Sequence, residues 1–179
     1  MQQLLWCAPL TGALLVAVAV SASAQTTGAP RVTRMHLSKG SHELTLFDDD
    51  RPVATFHVSL GPGGPGWKKQ EGDNITPVGR YHVVNRQPSQ YRVFLRLDYP
   101  NADDRARFHA RKASGELPPD ATIGGDIGLH GTPQGHKWDA FRSQLRGEDW
   151  TAGCIGVQDD EIDRIAAWVR DGTVIDIDD

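Results

Sequence analysis

This sequence predicts a mainly β fold with a few helices, and three observations support that fold class. Short runs of alternating apolar and polar residues recur between residues 32 and 97. Nineteen glycines and eleven prolines supply many turns between these runs. The clearest helical stripe of apolar residues comes late, after residue 159. We therefore expect a β-rich fold with long loops.

The strands are predicted from their period-two alternation and from the turn residues that bound them. In the run 53–60, for example, Ala54, Phe56 and Val58 share one face. Residues 61–74 are predicted to be a loop, because glycines adopt unusual dihedral angles and prolines lack an amide donor. The predicted strands cover residues 32–37, 42–47, 53–60, 81–84, 92–97, 123–130 and 173–177.

The helices are predicted from capping residues and apolar spacing. Asn101 is a good N-cap for a polar surface helix that runs to about Ala113. Asp159 is the predicted cap of a second helix, residues 160–170, which Gly172 ends. Its buried stripe is expected at i, i+3, i+4 and i+7, namely Ile162, Ile165, Ala166 and Val169. Residues 139–145 are expected to add one or two helical turns.

Composition divides the chain into three parts. Residues 1–24 resemble a secretory signal peptide, with an apolar run at 10–20 and the small-residue site Ala22-Ser23-Ala24. The run is short for a membrane span, and an uncleaved anchor is the alternative because no Lys or Arg precedes it. Residues 25–30 form a flexible leader, and 31–179 suit one domain with a sizeable core.

Charge excludes one class of partner. The formal net charge is −4, and no concentrated basic segment stands out. A nucleic-acid-binding protein needs such a basic face, so we expect no nucleic-acid partner. Contact with a membrane is expected only through the signal segment, if that segment stays uncleaved.

Cleavage after Ala24 would remove Cys7 and leave Cys154 as the lone cysteine. Exported proteins usually pair their cysteines or lack them. A lone thiol is therefore either an inert core residue or a reactive group. The frame around it, Thr151 to Val157, contains a glycine directly before the thiol.

His130 is the candidate base for that thiol. It could accept the Cys154 proton and later return one to a leaving group. The carbonyl of Gly131 could hold the imidazole tautomer, and Gly153 could let amide N–H groups face a developing oxyanion. The reaction class is acyl transfer through a thioester. The same histidine could instead be a packed core residue, and His136 is a rival base in a polar loop.

A metal site is the other arrangement to consider. Its donors would be Asp126, His130, His136 and Cys154. Their spacing matches no zinc-ligand pattern, so no metal is expected.

The combination of motifs resembles the L,D-transpeptidase catalytic domain of the YkuD type, over nearly all of the mature chain. The family pattern is His-Gly, a spacer, and then Ser or Thr, any residue, Gly and Cys. Here it is met by His130-Gly131 and by Thr151 to Cys154. The segments 69–81, 97–105 and 124–126 also resemble the family, the last two its YafK-like branch.

The resemblance implies a β-sandwich-like catalytic domain with the Cys and His at one end of the sheets. Cys154 would be the nucleophile and His130 the general base, with the Gly131 carbonyl orienting His130. The amides of Gly153 and Cys154 would form the oxyanion hole. No cofactor is implied, since an acyl-enzyme mechanism needs none. The expected substrate-binding residues are Thr151, Tyr81, Lys69 and Asp126.

The implied substrate is the peptidoglycan stem tetrapeptide, cut between diaminopimelate and the terminal D-alanine. The acyl group would pass to another stem, to the lysine of a wall-linked lipoprotein, or to water. A periplasmic location follows from this substrate and the signal segment. Two other classes stay open: a non-catalytic wall-binding module, and a secreted structural domain with an incidental buried thiol.

Two positions depart from the family pattern. Many members carry Arg two places after the Cys, where this chain has Gly156, and His two places before it, where this chain has Ala152. The missing Arg removes a cation that would meet a substrate carboxylate or order the loop. The sequence offers three substitutes for that cation, which are Lys68, Lys69 and Arg80.

Overall fold

The computed structural model describes residues 29–135 and 148–179, which form eight strands and two helices. The strands are β1 (Arg34–Ser38), β2 (Glu43–Asp48), β3 (Arg51–His57), β4 (Gly79–Ser89), β5 (Arg92–Leu97), β6 (Gly128–His130), β7 (Ile155–Gly156) and β8 (Val174–Asp178). The helices are α1 (Ala102–Ala113) and α2 (Asp159–Trp168). The mainly β prediction is confirmed. The signal segment, most of the leader and the helical turns expected at 139–145 lie outside the described residues.

One continuous sheet holds all eight strands in the order β3-β2-β1-β8-β4-β5-β6-β7. The pairs β1–β8 and β6–β7 are parallel, and the other neighbours are antiparallel. Ser59, just beyond β3, exchanges two backbone hydrogen bonds of 2.8 Å with Gly156 in β7. The sheet therefore curls until its two ends meet, and this closure lies beside Cys154.

The inner face of the curled sheet carries the apolar core. α2 covers part of it with its predicted stripe, whose four members are all buried. Burial of each of its two isoleucines and its valine stabilises the fold by about 1.5–3 kcal/mol. The largest fully buried side chains of the sheet include Met35, Leu37, Leu44, Leu46, Tyr81, Leu95, Leu129, Ile155 and Ile175.

One helix cap is confirmed and the other is wrong. The Asn101 side chain accepts hydrogen bonds from the amides of Asp103 (2.9 Å) and Asp104 (3.1 Å). The N-cap of α2 is Gln158, and Asp159 is already the first helical residue. The Asp159 carboxylate is turned instead toward the segment after His130, where it finds several donors at once.

Some strand bounds also differ from the prediction. The strand expected at 123–130 is reduced to Gly128–His130, because Gly124 (φ 74°) and Asp126 (φ 55°) adopt left-handed backbone angles that break a strand. β4 has 11 residues where four were expected. β7 was not predicted, since two residues are too few to show an alternating pattern.

The two helices of the described region are short. α1 has 12 residues and α2 has 10. Neither is long and apolar enough to cross a membrane.

Candidate active site

The register of three neighbouring strands brings the predicted thiol and imidazole onto one face of the sheet. His130 of β6 pairs with Phe94 of β5 and with Gly156 of β7. Side chains two residues apart on a strand share a face, so Cys154 lies on the His130 side. Residues from segments far apart in sequence thus form one surface.

A second set of neighbouring residues lies two positions along each strand from Phe94, His130 and Gly156. Arg96 of β5 pairs with Gly128 of β6, and the parallel register places Cys154 next to Gly128. Glycine is required at this central position, because a Cβ there would collide with the Leu95 carbonyl oxygen and lie 2.8 Å from Phe94 Cζ. The Phe94 ring thus covers Gly128, where a side chain would otherwise stand.

Arg96 and Cys154 line one cavity of about 620 Å³. Its walls combine the Cys and His with aromatic and polar side chains from three segments of the chain, 87–96, 126–133 and 150–154. They are Gln87, Ser89, Gln90, Tyr91, Phe94, Arg96, Asp126, His130, Pro133, Trp150, Thr151, Ala152 and Cys154. The size suits a small peptide substrate.

His130 is held in one tautomer by the residue that follows it. Its Nδ1 lies 2.7 Å from the carbonyl oxygen of Gly131. A carbonyl can only accept, so Nδ1 carries the proton and donates it there. Nε2 is then left with its lone pair and can accept a proton. This is the contact that the sequence analysis expected of Gly131.

Aromatic rings surround the His130 imidazole. Tyr91 lies 4.6 Å from it between ring centroids, Trp150 5.5 Å and Phe94 6.2 Å. Only 3% of the residue is exposed. This burial lowers the pKa of His130 below its ordinary value, although the hydrogen bond to Gly131 acts in the opposite direction. The imidazole is therefore neutral at neutral pH.

Backbone groups position the Cys154 thiol. Sγ donates to the carbonyl oxygen of Asp126 at 3.4 Å and accepts from the amide of Gly128. Burial raises the pKa of the thiol, while the Gly128 amide and the charges of Lys68 and Arg96 work against the rise. In the resting site the thiol is neutral beside a neutral imidazole.

The loop that carries Cys154 is tightly constrained. Gly153 has a φ of 124°, a value that favours glycine, and the Thr151 hydroxyl bridges the loop. Its Oγ1 accepts from the Gly153 amide at 3.2 Å and donates to the Cys154 carbonyl at 2.7 Å. On the other side, a Cβ at Gly61 would lie 2.8 Å from the Gly153 nitrogen. The glycine-rich loop thus packs directly against the thiol-bearing turn.

An ion pair stands beside the thiol. The guanidinium of Arg96 contacts the carboxylate of Asp126, whose side chain is 78% exposed. The carbonyl of the same aspartate accepts the Cys154 thiol. Asp126 also holds a left-handed backbone angle, which is uncommon for a residue other than glycine. Asp126 therefore contacts Cys154 through its backbone carbonyl and Arg96 through its side chain.

The family model described as the YkuD L,D-transpeptidase catalytic domain matches residues 33–177. The chain belongs to this L,D-transpeptidase family. No curated protein matches it significantly.

Solved structures show the same fold at low sequence identity. The helical cell shape determining protein Pgp2 of Campylobacter jejuni is 22% identical with a TM-score of 0.56, over 82% of this chain and 46% of that one. Bd1075 of Bdellovibrio bacteriovorus is 19% identical with a TM-score of 0.54, over 82% and 48%. An L,D-transpeptidase from Xylanimonas cellulosilytica is 12% identical with a TM-score of 0.50, over 85% and 64%. This chain spans less than two thirds of each.

Two expected substrate-binding residues of this L,D-transpeptidase domain are not brought into the cavity. Tyr81 is fully buried in the core, where its hydroxyl donates to the Val78 carbonyl and the Asp104 carboxylate. Lys69 is half exposed and pairs with Glu116 at 3.7 Å. Thr151 and Asp126 do line the cavity, as do Cys154 and His130. Gly131 and Gly153 contact the site through their backbones: the Gly131 carbonyl accepts from His130, and the Gly153 amide donates to Thr151.

The cation that lines the cavity is not one of the three substitutes named from the sequence. Lys68 is buried and paired with Asp73 at 2.6 Å, and Arg80 pairs with Asp176 at 2.6 Å across β4 and β8. Among the described residues, Arg96 is the basic side chain in the cavity wall. The surroundings of Gly156 are occupied by the Trp150 ring, since a Cβ there would lie 3.0 Å from Trp150 Cζ2.

Sequence reasoning missed four residues that shape the L,D-transpeptidase site: Tyr91, Arg96, Trp150 and Asp159. Asp159 accepts from the Thr132 amide and hydroxyl, each at 2.9 Å, and from the Gln134 side chain at 2.9 Å. It thereby anchors the segment after Gly131. For Arg96 a signal existed, because the predicted strand 92–97 puts it on the face opposite Leu95. The aromatic residues gave no comparable signal.

Metal ligands do not gather in the described part of the chain. No group of three or more His, Cys, Asp and Glu side chains there is arranged to hold an ion. The rival base His136 lies outside the described residues.

Proposed function

We propose that this chain is a cysteine-dependent L,D-transpeptidase that cuts the diaminopimelate–D-alanine bond of peptidoglycan stem tetrapeptides. The observation that carries the proposal is the placement of Cys154 and His130 on one cavity wall, with His130 Nε2 free to accept a proton. Family membership supports the reaction class. The YafK-like branch and a periplasmic location after signal cleavage belong to the same proposal.

The first half-reaction forms a thioester. His130 Nε2 takes the proton from Cys154 Sγ as the sulfur attacks the carbonyl carbon of diaminopimelate. The imidazolium then gives that proton to the nitrogen of the departing D-alanine as the C–N bond breaks. The stem peptide remains bound to sulfur, and His130 is neutral again. The Gly131 carbonyl stabilises the transient imidazolium through Nδ1–H.

The oxyanion of the tetrahedral intermediate needs donors close to Cys154. The amides of Gly153 and Cys154 are the proposed donors. The Gly153 amide already donates to Thr151 Oγ1 at 3.2 Å, a long hydrogen bond. We propose that this amide shifts toward the stronger, charged acceptor as the oxyanion forms.

The second half-reaction decides the product. An amine from another stem or from a lipoprotein lysine would give a cross-link or a wall-linked protein, and His130 would accept the amine proton. Water would give a hydrolase with the same thioester. The cavity wall is polar on the Gln87, Ser89 and Gln90 side, which favours entry of a polar acceptor.

Tetrapeptide-rich sacculi incubated with the mature protein test the proposal. Muropeptides are read by mass spectrometry, with Cys154→Ala as the inactive twin. Free D-alanine with new diaminopimelate–diaminopimelate cross-links, absent from the twin, would establish the transpeptidase. Tripeptides or released wall-linked protein without cross-links would establish a hydrolase instead. Identical profiles from both proteins, with both retained on sacculi, would favour a wall-binding module.

A further inference from the structure

We propose that Arg96 binds the terminal carboxylate of the stem peptide, the carboxylate of the D-alanine that departs. This inference rests on the proposed function and names a specificity-determining residue for it. It would explain selection of the bond next to the peptide's terminal carboxylate. The motifs around His130 and Cys154 contain no arginine or lysine. Arg96 comes from β5, a separate part of the chain.

The position of Arg96 is set by the sheet. It pairs with Gly128, and Gly128 is the neighbour of Cys154 across the next strand pair. Strands lie about 4.8 Å apart, so the Cα atoms of Arg96 and Cys154 are about 10 Å apart. The Phe94 ring covers Gly128, and the Arg96 guanidinium carbon lies 5.6 Å from the centre of that ring. Arg96 lines the same cavity as Cys154, and Asp126 contacts both, through its carboxylate and its carbonyl.

The Arg96 guanidinium already forms an ion pair with a carboxylate, that of Asp126. Its ion-pair partner Asp126 is largely exposed, whereas the Arg96 side chain is about one-third exposed (34%). An exposed ion pair contributes little to stability, so an incoming carboxylate can replace Asp126 at low cost. Arginine is suited to this exchange because its planar fork binds carboxylates through two parallel hydrogen bonds.

Other cations near the site are committed elsewhere. Lys68 is buried against Asp73, and Asp73 also accepts from three backbone amides. Arg92, on the same strand as Arg96, pairs with Asp163 at the surface and does not line the cavity. Within the described residues, Arg96 is thus the cation available to a bound peptide.

Of the free carboxylates of the tetrapeptide, two lie nearest the attacked carbonyl, on opposite sides of it. One belongs to the departing D-alanine, and the other to the far end of the diaminopimelate side chain. The short reach between Arg96 and Cys154 favours the D-alanine carboxylate. Its carbon is separated from the attacked carbonyl carbon by only the amide nitrogen and one α-carbon.

Three synthetic tetrapeptides separate these sources: the free acid, the C-terminal amide, and the peptide whose diaminopimelate side-chain carboxylate is an amide. Release of D-alanine or D-alaninamide is followed for wild type, Arg96→Gln and the matched control Arg92→Gln. We expect Arg96→Gln to lower kcat/KM on the free acid about 10- to 100-fold, mainly through KM. Arg92→Gln should behave as wild type.

For wild type, kcat/KM on the C-terminal amide should be lower than on the free acid by a similar factor. Arg96→Gln should lower kcat/KM on that amide little further. The proposal is overturned if Arg96→Gln slows the free acid and the C-terminal amide equally. It is also overturned if the effect of Arg96→Gln vanishes only with the diaminopimelate amide. Circular dichroism and thermal melting confirm that both variants fold.

Binding to the Cys154→Ala protein keeps this inference separate from the proposed function. Calorimetry compares the free acid with its C-terminal amide in that background, with and without Arg96→Gln. Arg96-dependent preference for the free acid supports the assignment even if no turnover occurs. Equal binding of the two peptides overturns it, even where wild type is an active transpeptidase.

Discussion

Trp150 packs edge-on against His130, with ring centroids 5.5 Å apart and ring planes at 65°. The contact depends on Gly156, which pairs with His130 across β6 and β7. A Cβ at Gly156 would lie 3.0 Å from Trp150 Cζ2 and 3.4 Å from Thr151 Cγ2. The residue that departs from the family pattern thus makes room for a ring that buries the proposed base.

The first prediction concerns Gly156→Ala. The added methyl group forces the Trp150 ring to move by a few tenths of an ångström, which loosens the wall beside His130. We expect kcat/KM for D-alanine release to fall about 10-fold, since small misplacements near the reacting groups are costly. Gly40→Ala is the matched control, because its Cβ would meet only ordinary contacts of 3.6 Å. An unchanged rate in Gly156→Ala would argue against this packing.

The second prediction is the pH dependence of the reaction. His130 must be neutral to take the thiol proton, and burial lowers its pKa. The ordinary pKa of histidine is about 6.5. Activity should therefore persist below that pH and fall only at more acidic pH. Burial also raises the pKa of Cys154, so the alkaline limb should lie above about 8.5. The pH profile of kcat/KM measures both limbs.

A variant that opens the imidazole to water tests the cause of that shift. Tyr91→Ser removes the ring closest to His130 but keeps the backbone carbonyl that accepts from the Gly131 amide. The acid limb should move up, toward the ordinary histidine value of about 6.5. A limb that stays in place would show that desolvation by Tyr91 is not the cause.

The lowered pKa also makes a statement about stability. The unfolded chain takes up a proton at His130 first, near pH 6.5, while the folded chain resists it. The free energy of unfolding should therefore fall as the pH drops from about 6.5 to the folded-state pKa, and level off below it. Urea denaturation between pH 7.5 and 5 measures the slope, and His130→Gln should flatten it.

Much of this site could be predicted from the sequence, and the missing parts share a physical cause. The frames around His130 and Cys154 are local motifs, so reading the chain residue by residue finds them. Arg96 and Trp150 reach them only through the pairing of β5, β6 and β7, which no local pattern reveals. Tyr81 was misplaced for the same reason, because its strand neighbour is Ile175 of β8. The sequence predicts Asp159 as the cap of its own helix. Its carboxylate instead accepts hydrogen bonds from Thr132 and Gln134, which no local pattern reveals.

A further prediction concerns Thr151, whose hydroxyl accepts from the Gly153 amide and donates to the Cys154 carbonyl. Thr151→Val keeps the shape but removes both hydrogen bonds, leaving a buried donor and acceptor unpaired. We expect a loss of about 1–3 kcal/mol in the free energy of unfolding. We also expect a roughly 10-fold lower kcat, because the thiol is less well placed. Thr151→Ser restores the hydroxyl and should recover most of both. Equal losses in the Ser variant would contradict the bridging role.

The fourth prediction concerns the buried Lys68–Asp73 pair. The Lys68 side chain is only 3% exposed, so Asp73→Asn leaves a buried ammonium without its partner. That change should cost about 3–5 kcal/mol of the free energy of unfolding. Asp163→Asn, which breaks the exposed pair with Arg92, is the control and should change stability little. Urea denaturation of both variants makes the comparison.

Acid should weaken the same pair. Burial would raise the pKa of Asp73, but hydrogen bonds from Lys68 and three backbone amides outweigh it, and the pKa lies below its ordinary value. The stability that Asp73 contributes is therefore complete above about pH 4 and is lost as the pH falls through the folded-state pKa. Asp73→Asn should remove this part of the acid dependence. An identical acid profile in the variant would contradict the assignment.

In the proposed reaction Cys154 forms a thioester with the stem peptide while His130 moves the proton. Intact-protein mass spectrometry after rapid mixing with a stem tetrapeptide tests it most directly. We expect an adduct with the mass of the peptide minus D-alanine on wild type, a much slower one on His130→Ala, and none on Cys154→Ala. An adduct that persists in Cys154→Ala, or D-alanine release at the wild-type rate by that variant, would contradict it.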